Sequence, residues 1–169
     1  MNLPPVYGQP PSTSRLRFDN DHTARLRLAG SARCRALIIA AVAAYVDVPL
    51  APARITFESG VRVEIDGASK DRTVLVEAYA HTGVLRGGQP KKLATDAFKL
   101  AWAGQKLGSA RLVIAVIDED VEQYLLQPKA WLTEALRDSA VEVVRVSIDE
   151  DARTRVVDAQ RLQTMSPSK

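Results

Sequence analysis

Three carboxylates stand where strand-forming sequence should bury them. The stretch VEIDGASKDRTVLVEAYAH, Val63 to His81, holds Glu64 and Asp66 in one β-prone run and Glu77 in the next. Val, Leu, Ala and Tyr flank Glu77 on both sides, and an unpaired carboxylate buried there is strongly unfavourable, so a compensating group must face it. Two carboxylates about 4 Å apart repel by roughly 4 kcal/mol at an effective dielectric of 20, and they relieve this by sharing a proton or holding a cation. Mg²⁺, or Mn²⁺ in its place, suits such hard oxygen ligands. It takes one or two protein carboxylates with water and phosphate oxygens, where it activates water and neutralises charge during phosphodiester cleavage. Glu64, Asp66 and Glu77 are therefore the candidate metal ligands. The plainer alternative makes Asp66-Gly67 an ordinary turn and pairs Glu64 with Arg62 or Arg72 on a wet face.

Alternation along a strand puts Arg62, Glu64 and Asp66 on one face of their run, and Thr73, Leu75, Glu77, Tyr79 and His81 on one face of the next. The connecting hairpin decides which acids meet. A turn centred between Asp71 and Arg72 sets Glu77 opposite Asp66, and one centred between Lys70 and Asp71 sets it opposite Glu64. After the loop GVLRGGQP, Pro90 at a first helical position starts a helix closing at Gly108. On it Gln89, Lys92, Asp96 and Lys99 recur at spacings of 3, 4 and 3, one polar stripe that could aim two lysines and a glutamine at Glu77. A lysine so placed orients an attacking water or stabilises phosphate charge; away from the acids the stripe is simply solvated. Leu93, Ala97, Leu100, Phe98 and Trp102 are expected to face the sheet, and Trp131 to be core.

The remaining elements follow from periodicity and punctuation. Residues 1–20, with Pro4, Pro5, Pro10 and Pro11, read as a Pro-rich mobile leader, 21–163 as a single α/β domain and 164–169 as a mobile tail. A helix apolar nearly all round, hence central, is expected from Ser31 to Tyr45. Short strands follow at RITFE, VRVEID and TVLVEAYA, then the Pro90 helix, the apolar strand RLVIAVID, a helix interrupted near Pro128, the strand VEVVRVSI and a last helix over 149–162. The order α, β, β, β, α, β, α, β, α implies a mixed five-stranded sheet, a three-stranded antiparallel meander followed by βα units, with helices on both faces.

Composition narrows the function classes. The 169 residues are 46% hydrophobic and 25% charged, ordinary globular values. One cysteine, Cys34, excludes an intramolecular disulfide, and with only His22 and His81 it leaves no zinc-type ligand set. The longest apolar run, 36–46, is about half the roughly 20 residues that span a bilayer, and the first residues lack the order of a secretory signal, so a cytoplasmic protein without membrane contact is expected. A net charge of +3 does not by itself mark a polyanion binder. Arg15, Arg17, Arg25, Arg27, Arg33 and Arg35 nevertheless make the N-terminal fifth basic enough to meet phosphate.

The order of helix, meander, helix and strand, with one acid near the end of the second strand and another inside the third, resembles the PD-(D/E)XK (restriction-endonuclease-like) nuclease superfamily over about Ser31 to Asp118. More narrowly, VLVEAYAHTGVLRGGQPKKLATDAFKLAW, ARLVIAVID and WLTEAL resemble an uncharacterised bacterial group with that fold. The resemblance implies that Asp66 and Glu77 hold metal, and it expects lysine where this chain has Tyr79. Some members carry the equivalent lysine on the following helix, which makes Lys92 the first candidate here, Lys99 the second and Gln89 a polar helper. The acid that several relatives carry on the first helix has no counterpart between Ser31 and Val46. The function implied is Mg²⁺-dependent cleavage of nucleic acid, in an active or a degenerate form. The rival is a catalytically inactive nuclease-fold module that binds nucleic acid or a protein partner, with Tyr79 marking the lost lysine. A small-molecule enzyme using the acids DEDVE and DED after the fourth and fifth strands ranks last, since acids there serve equally as helix caps. Oligomeric state is not specified; a homodimer is compatible.

Overall fold

The computed structural model of the protein describes residues 32–108 and 110–164, with side chains to 161. The leader, the residue Ser31, four of the six N-terminal arginines and residues 165–169 lie outside the described residues. The architecture is α/β, an open five-stranded mixed sheet in the order β1-β2-β3-β4-β5. Strand β1 (Ala51–Thr56) pairs antiparallel with β2 (Arg62–Ala68), which pairs antiparallel with β3 (Val74–Tyr79). Strands β4 (Arg111–Val116) and β5 (Val141–Arg145) continue from β3 in parallel. Every residue of β3 is buried, as suits the strand where the antiparallel and parallel halves join.

Helices cover both faces. On one lie α1 (32–46) and α5 (Glu150–Thr164), meeting Val74, Val76, Ala78, Val113 and Ala115 through Cys34, Ile38, Ile39, Val42 and Val156. On the other lie α2 (Gln89–Leu107), α3 (Glu119–Leu125) and α4 (Trp131–Asp138), meeting Leu75, Leu112, Ile114 and Val116 through Leu93, Leu100, Val121, Leu125, Leu132 and Leu136. The helix expected to be central is instead one-sided. Its buried residues follow a single stripe, and Ala36, Ala40 and Ala44 face outward, because alanine favours helix without needing burial. The interruption expected near Pro128 separates two helices, α3 and α4. The buried Thr133 hydroxyl closes the break by donating to the carbonyls of Leu125 and Gln127, each at 2.9 Å.

Local chemistry explains the joints. Asp47, in the left-handed conformation at φ 54°, ends α1, with Val48 donating back to Ala43. Between β2 and β3 the Asp71 carboxylate accepts from the Ser69 hydroxyl at 2.7 Å and from the Thr73 hydroxyl and main-chain N–H. These bonds, the Ser69 one foremost, hold its pKa down at about 2. The turn therefore lies at Lys70 to Arg72, and Asp66-Gly67 belongs to strand. A Cβ on Gly67 would come within 2.7 Å of Ile39, so the glycine there admits α1 against the sheet.

On α2, Leu93, Ala97, Leu100, Ala103 and Gly104 form the buried face. Phe98, expected to face the sheet, is 74% exposed, and Trp131, expected in the core, is 72% exposed at the start of α4. Both sit at the edge of an apolar stripe, and burial of the stripe's centre leaves its edge outside. Trp102 is half-buried, edge-on to Phe57 at 4.8 Å between ring centroids. No helix among the described residues is long and apolar enough to cross a membrane. Two alanine substitutions on α2 check its orientation. Leu100→Ala should lower stability in urea titration by about 2–5 kcal/mol, and Phe98→Ala by no more than about 0.5 kcal/mol. Equal losses would mean the helix is turned differently.

Candidate functional site

The ladder between β2 and β3 is short, with partners Gly67↔Val76 and Ala68↔Leu75. Continued one residue, that register puts Asp66, not Glu64, opposite Glu77, the outcome expected of a turn between Asp71 and Arg72. Beyond this point regular pairing stops, and one Asp66 oxygen instead accepts the main-chain N–H of Ala78 at 3.1 Å. The two acids thus lie near each other where β2 and β3 part, close enough for the charge of Asp66 to act on Glu77.

Each acid meets a cation from a different side of the sheet. Arg35 of α1 brings Nε to 3.5 Å from Asp66 Oδ1. Lys99 of α2 brings Nζ to 2.7 Å from Glu77 Oε1. The latter contact is an ion pair by distance without the alignment of a hydrogen bond, and Oε1 is otherwise buried with no hydrogen-bond partner. Glu77 is only 4% exposed, and burial, the dominant influence, pushes its pKa up to about 7. Lys99 opposes that rise, while the negative charges of Asp66 and Asp96 add to it. The acid is therefore poised to lose its proton near neutral pH, as a general base or a pH-gated cation ligand requires.

The polar stripe on α2 lies along the same strand end, but its members divide. Lys99, ranked second by sequence, reaches Glu77. Lys92, ranked first, pairs with Asp96 and stands 5.6 Å from the centre of the Tyr79 ring, a cation–π distance. Tyr79, at the position where lysine is expected, thus serves as a platform for a helical lysine; burial raises its phenol to about 12, so it stays neutral. Gln89 accepts the Arg86 N–H at 2.6 Å and turns its amide nitrogen to His81 Nδ1 at 3.2 Å. Gln160 of α5 meets the same Nδ1 at 2.9 Å. Burial, more than any charge nearby, lowers the basicity of His81 and keeps its ring neutral, though Asp118 acts in the opposite sense.

Glu64 does not join the pair. It is exposed and bonded to Arg54, its cross-strand partner on β1. Asp118, in the acidic run after β4, caps α3 by accepting from Asp120 N–H and pairs with Arg153 at 3.0 Å, the helix-cap role weighed above. Sequence reasoning missed Arg35 as the partner of Asp66 and Gln160 as a partner of His81. Arg35 looked like one member of a basic patch, and nothing local to α5 signals a contact with β3. Among the described residues no group of three or more His, Cys, Asp and Glu side chains converges as a metal site. A divalent cation here would have Asp66 and Glu77 as protein ligands and water or phosphate oxygens for the rest. The unsatisfied Glu77 Oε1, opposite a second carboxylate, fits that role. No protein-family model, curated protein or solved structure matches the chain at a significant level.

The raised pKa of Glu77 makes stability depend on pH. The contribution of the protonated acid is fully present below about 4.5, its ordinary value, and is lost as pH rises through about 7. In metal-free buffer, Glu77→Gln removes that loss. Its stability relative to wild type should improve between pH 4.5 and pH 8 by on the order of 3 kcal/mol in urea titrations; a constant difference across that range would mean Glu77 is ionised throughout.

Proposed function

We propose that the chain is a Mg²⁺- or Mn²⁺-dependent nuclease of restriction-endonuclease-like fold, hydrolysing phosphodiester bonds of nucleic acid. The observation that carries this reading is the buried Glu77 carboxylate, close enough to Asp66 to feel its charge at the parting of β2 and β3, with Lys99 on it. The element order supports it too, since the meander followed by α2 and β4 is what the resemblance implies.

Asp66 and Glu77 are the residues that would hold the cation, and bound there it would supply Lewis acidity toward a phosphate oxygen and a more acidic water. The chain's own groups account for the remaining tasks. Glu77, deprotonated near neutral pH, takes up or orients a proton of the attacking water. Lys99, partly buried beside that carboxylate, stabilises the charge that develops as the water attacks. Arg35 approaches from α1, where a phosphate oxygen could replace the Asp66 carboxylate as its partner. Tyr79 in place of lysine is thereby answered from α2, and by Lys99 rather than Lys92.

Purified protein incubated with supercoiled, linear and single-stranded DNA and with RNA, in Mg²⁺ or Mn²⁺, should cleave at least one of them. Glu77→Ala and Asp66→Ala should abolish cleavage, and Lys99→Ala should slow it about 10²–10³-fold. Calorimetric titration should show cation binding that tightens as pH rises through 7 and disappears in both acid variants. Neither cleavage nor millimolar cation binding would instead make the Arg35–Asp66 and Lys99–Glu77 pairs structural, and the chain a non-catalytic binding module.

A further inference from the structure

Next to the carboxylates, a cleft opens at the carboxyl end of β3, where α1, α2 and α5 converge. It encloses about 160 Å³, and its polar walls are Arg35, Tyr79, His81, Gln89, Lys92 and Gln160. A site for one water needs roughly 10–15 Å³ on a comparable measure, so the cleft admits a group of several heavy atoms. Among the described residues no carboxylate lines it, while two cations do. Each cation comes from an ion pair just outside, Arg35 from Asp66 and Lys92 from Asp96.

The back wall is rigid. Gln89 and Gln160 have their carbonyl oxygens occupied by the main-chain N–H groups of Arg86 and Thr82, so their amide nitrogens face His81 Nδ1. Gln160 also accepts from the Thr82 hydroxyl and donates to the Thr82 carbonyl. These bonds seal α5 onto the chain just after β3 and close the cleft on that side.

We propose that the cleft is a subsite for a phosphate monoester, the terminal phosphate of a nucleic-acid strand, held between Arg35 and Lys92. The inference rests on the nuclease reading above. Charge favours the monoester over an internal diester, because a dianion matches two cations in a cleft whose described lining holds no carboxylate. Arg35 offers a planar fork to phosphate oxygens and Lys92 a compact charge. Since Arg35 also touches Asp66, a divalent ion taken by Asp66 would free Arg35 for the phosphate, so the two ligands should bind with positive coupling.

The test uses Glu77→Gln protein in metal-free buffer, so that cleavage plays no part. Fluorescence anisotropy would compare one oligonucleotide sequence with a 5′-phosphate, a 3′-phosphate or hydroxyl ends. One phosphorylated form should bind about tenfold more tightly than the hydroxyl form, the factor one lost charge-assisted contact implies. That advantage should vanish in Lys92→Ala, whose side chain is 55% exposed, and in Arg35→Gln. Equal binding of all three forms, or an advantage that survives both substitutions, overturns the proposal. A loss on Lys92→Ala that is the same for every end would assign the cleft to internal diesters and also overturn it. Because the readout is end-dependent affinity, its failure is separate from any failure to cleave.

Discussion

The Lys99–Glu77 contact constrains this structure more than any other polar contact described. A glutamate inside an apolar strand would be tolerated protonated or paired, and the lysine supplies the second option without fully imposing it. Because Lys99 is followed at once by Leu100, which is completely buried, α2 has little rotational freedom. One residue must enter the core while its neighbour, about 100° around the helix, must reach the carboxylate. Removing one member of such a buried pair is far costlier than never having had the pair.

The same logic operates from the other face of the sheet. Gly67 lets Ile39 approach the backbone of β2, and the closeness of α1 brings Arg35 to Asp66. Two neighbouring acids at the end of a ladder are therefore met by two cations from opposite layers. Neither pairing is closed. Arg35 is at the long end of ion-pair distance, and Glu77 Oε1 lacks an aligned hydrogen bond. Incomplete satisfaction of this kind belongs to a place where a ligand competes for the same charges.

Much of this arrangement was legible in the residues. The α/β class, the meander, its parallel continuation and the polar stripe of α2 followed from strand alternation, from Pro90 and Gly108, and from spacings of three and four. Other features needed three dimensions. Register was open until the Asp71 knot with Ser69 and Thr73 placed the turn. Lys92 and Lys99 lie two turns apart on one stripe, and only the height of α2 over β3 decides which meets Glu77. Phe98 and Trp131 were misjudged because hydrophobicity marks a stripe but not its width. Arg35 and Gln160 answer residues far away in the chain, where no local pattern can point.

The sheet order repeats the chain order without a single exchange. Each strand can join the edge left by its predecessor, so assembly follows synthesis from β1 onward, with few distant partners to await. The glutamate is the exception to this smooth growth. While the ribosome is still extending the chain, β3 can already lie beside β2 with its acid facing no helix. In that open position the carboxylate is hydrated and charged, and desolvation and Lys99 act on it only as α2 closes over the strand, so the cost of burying the acid falls on the docking of that one helix.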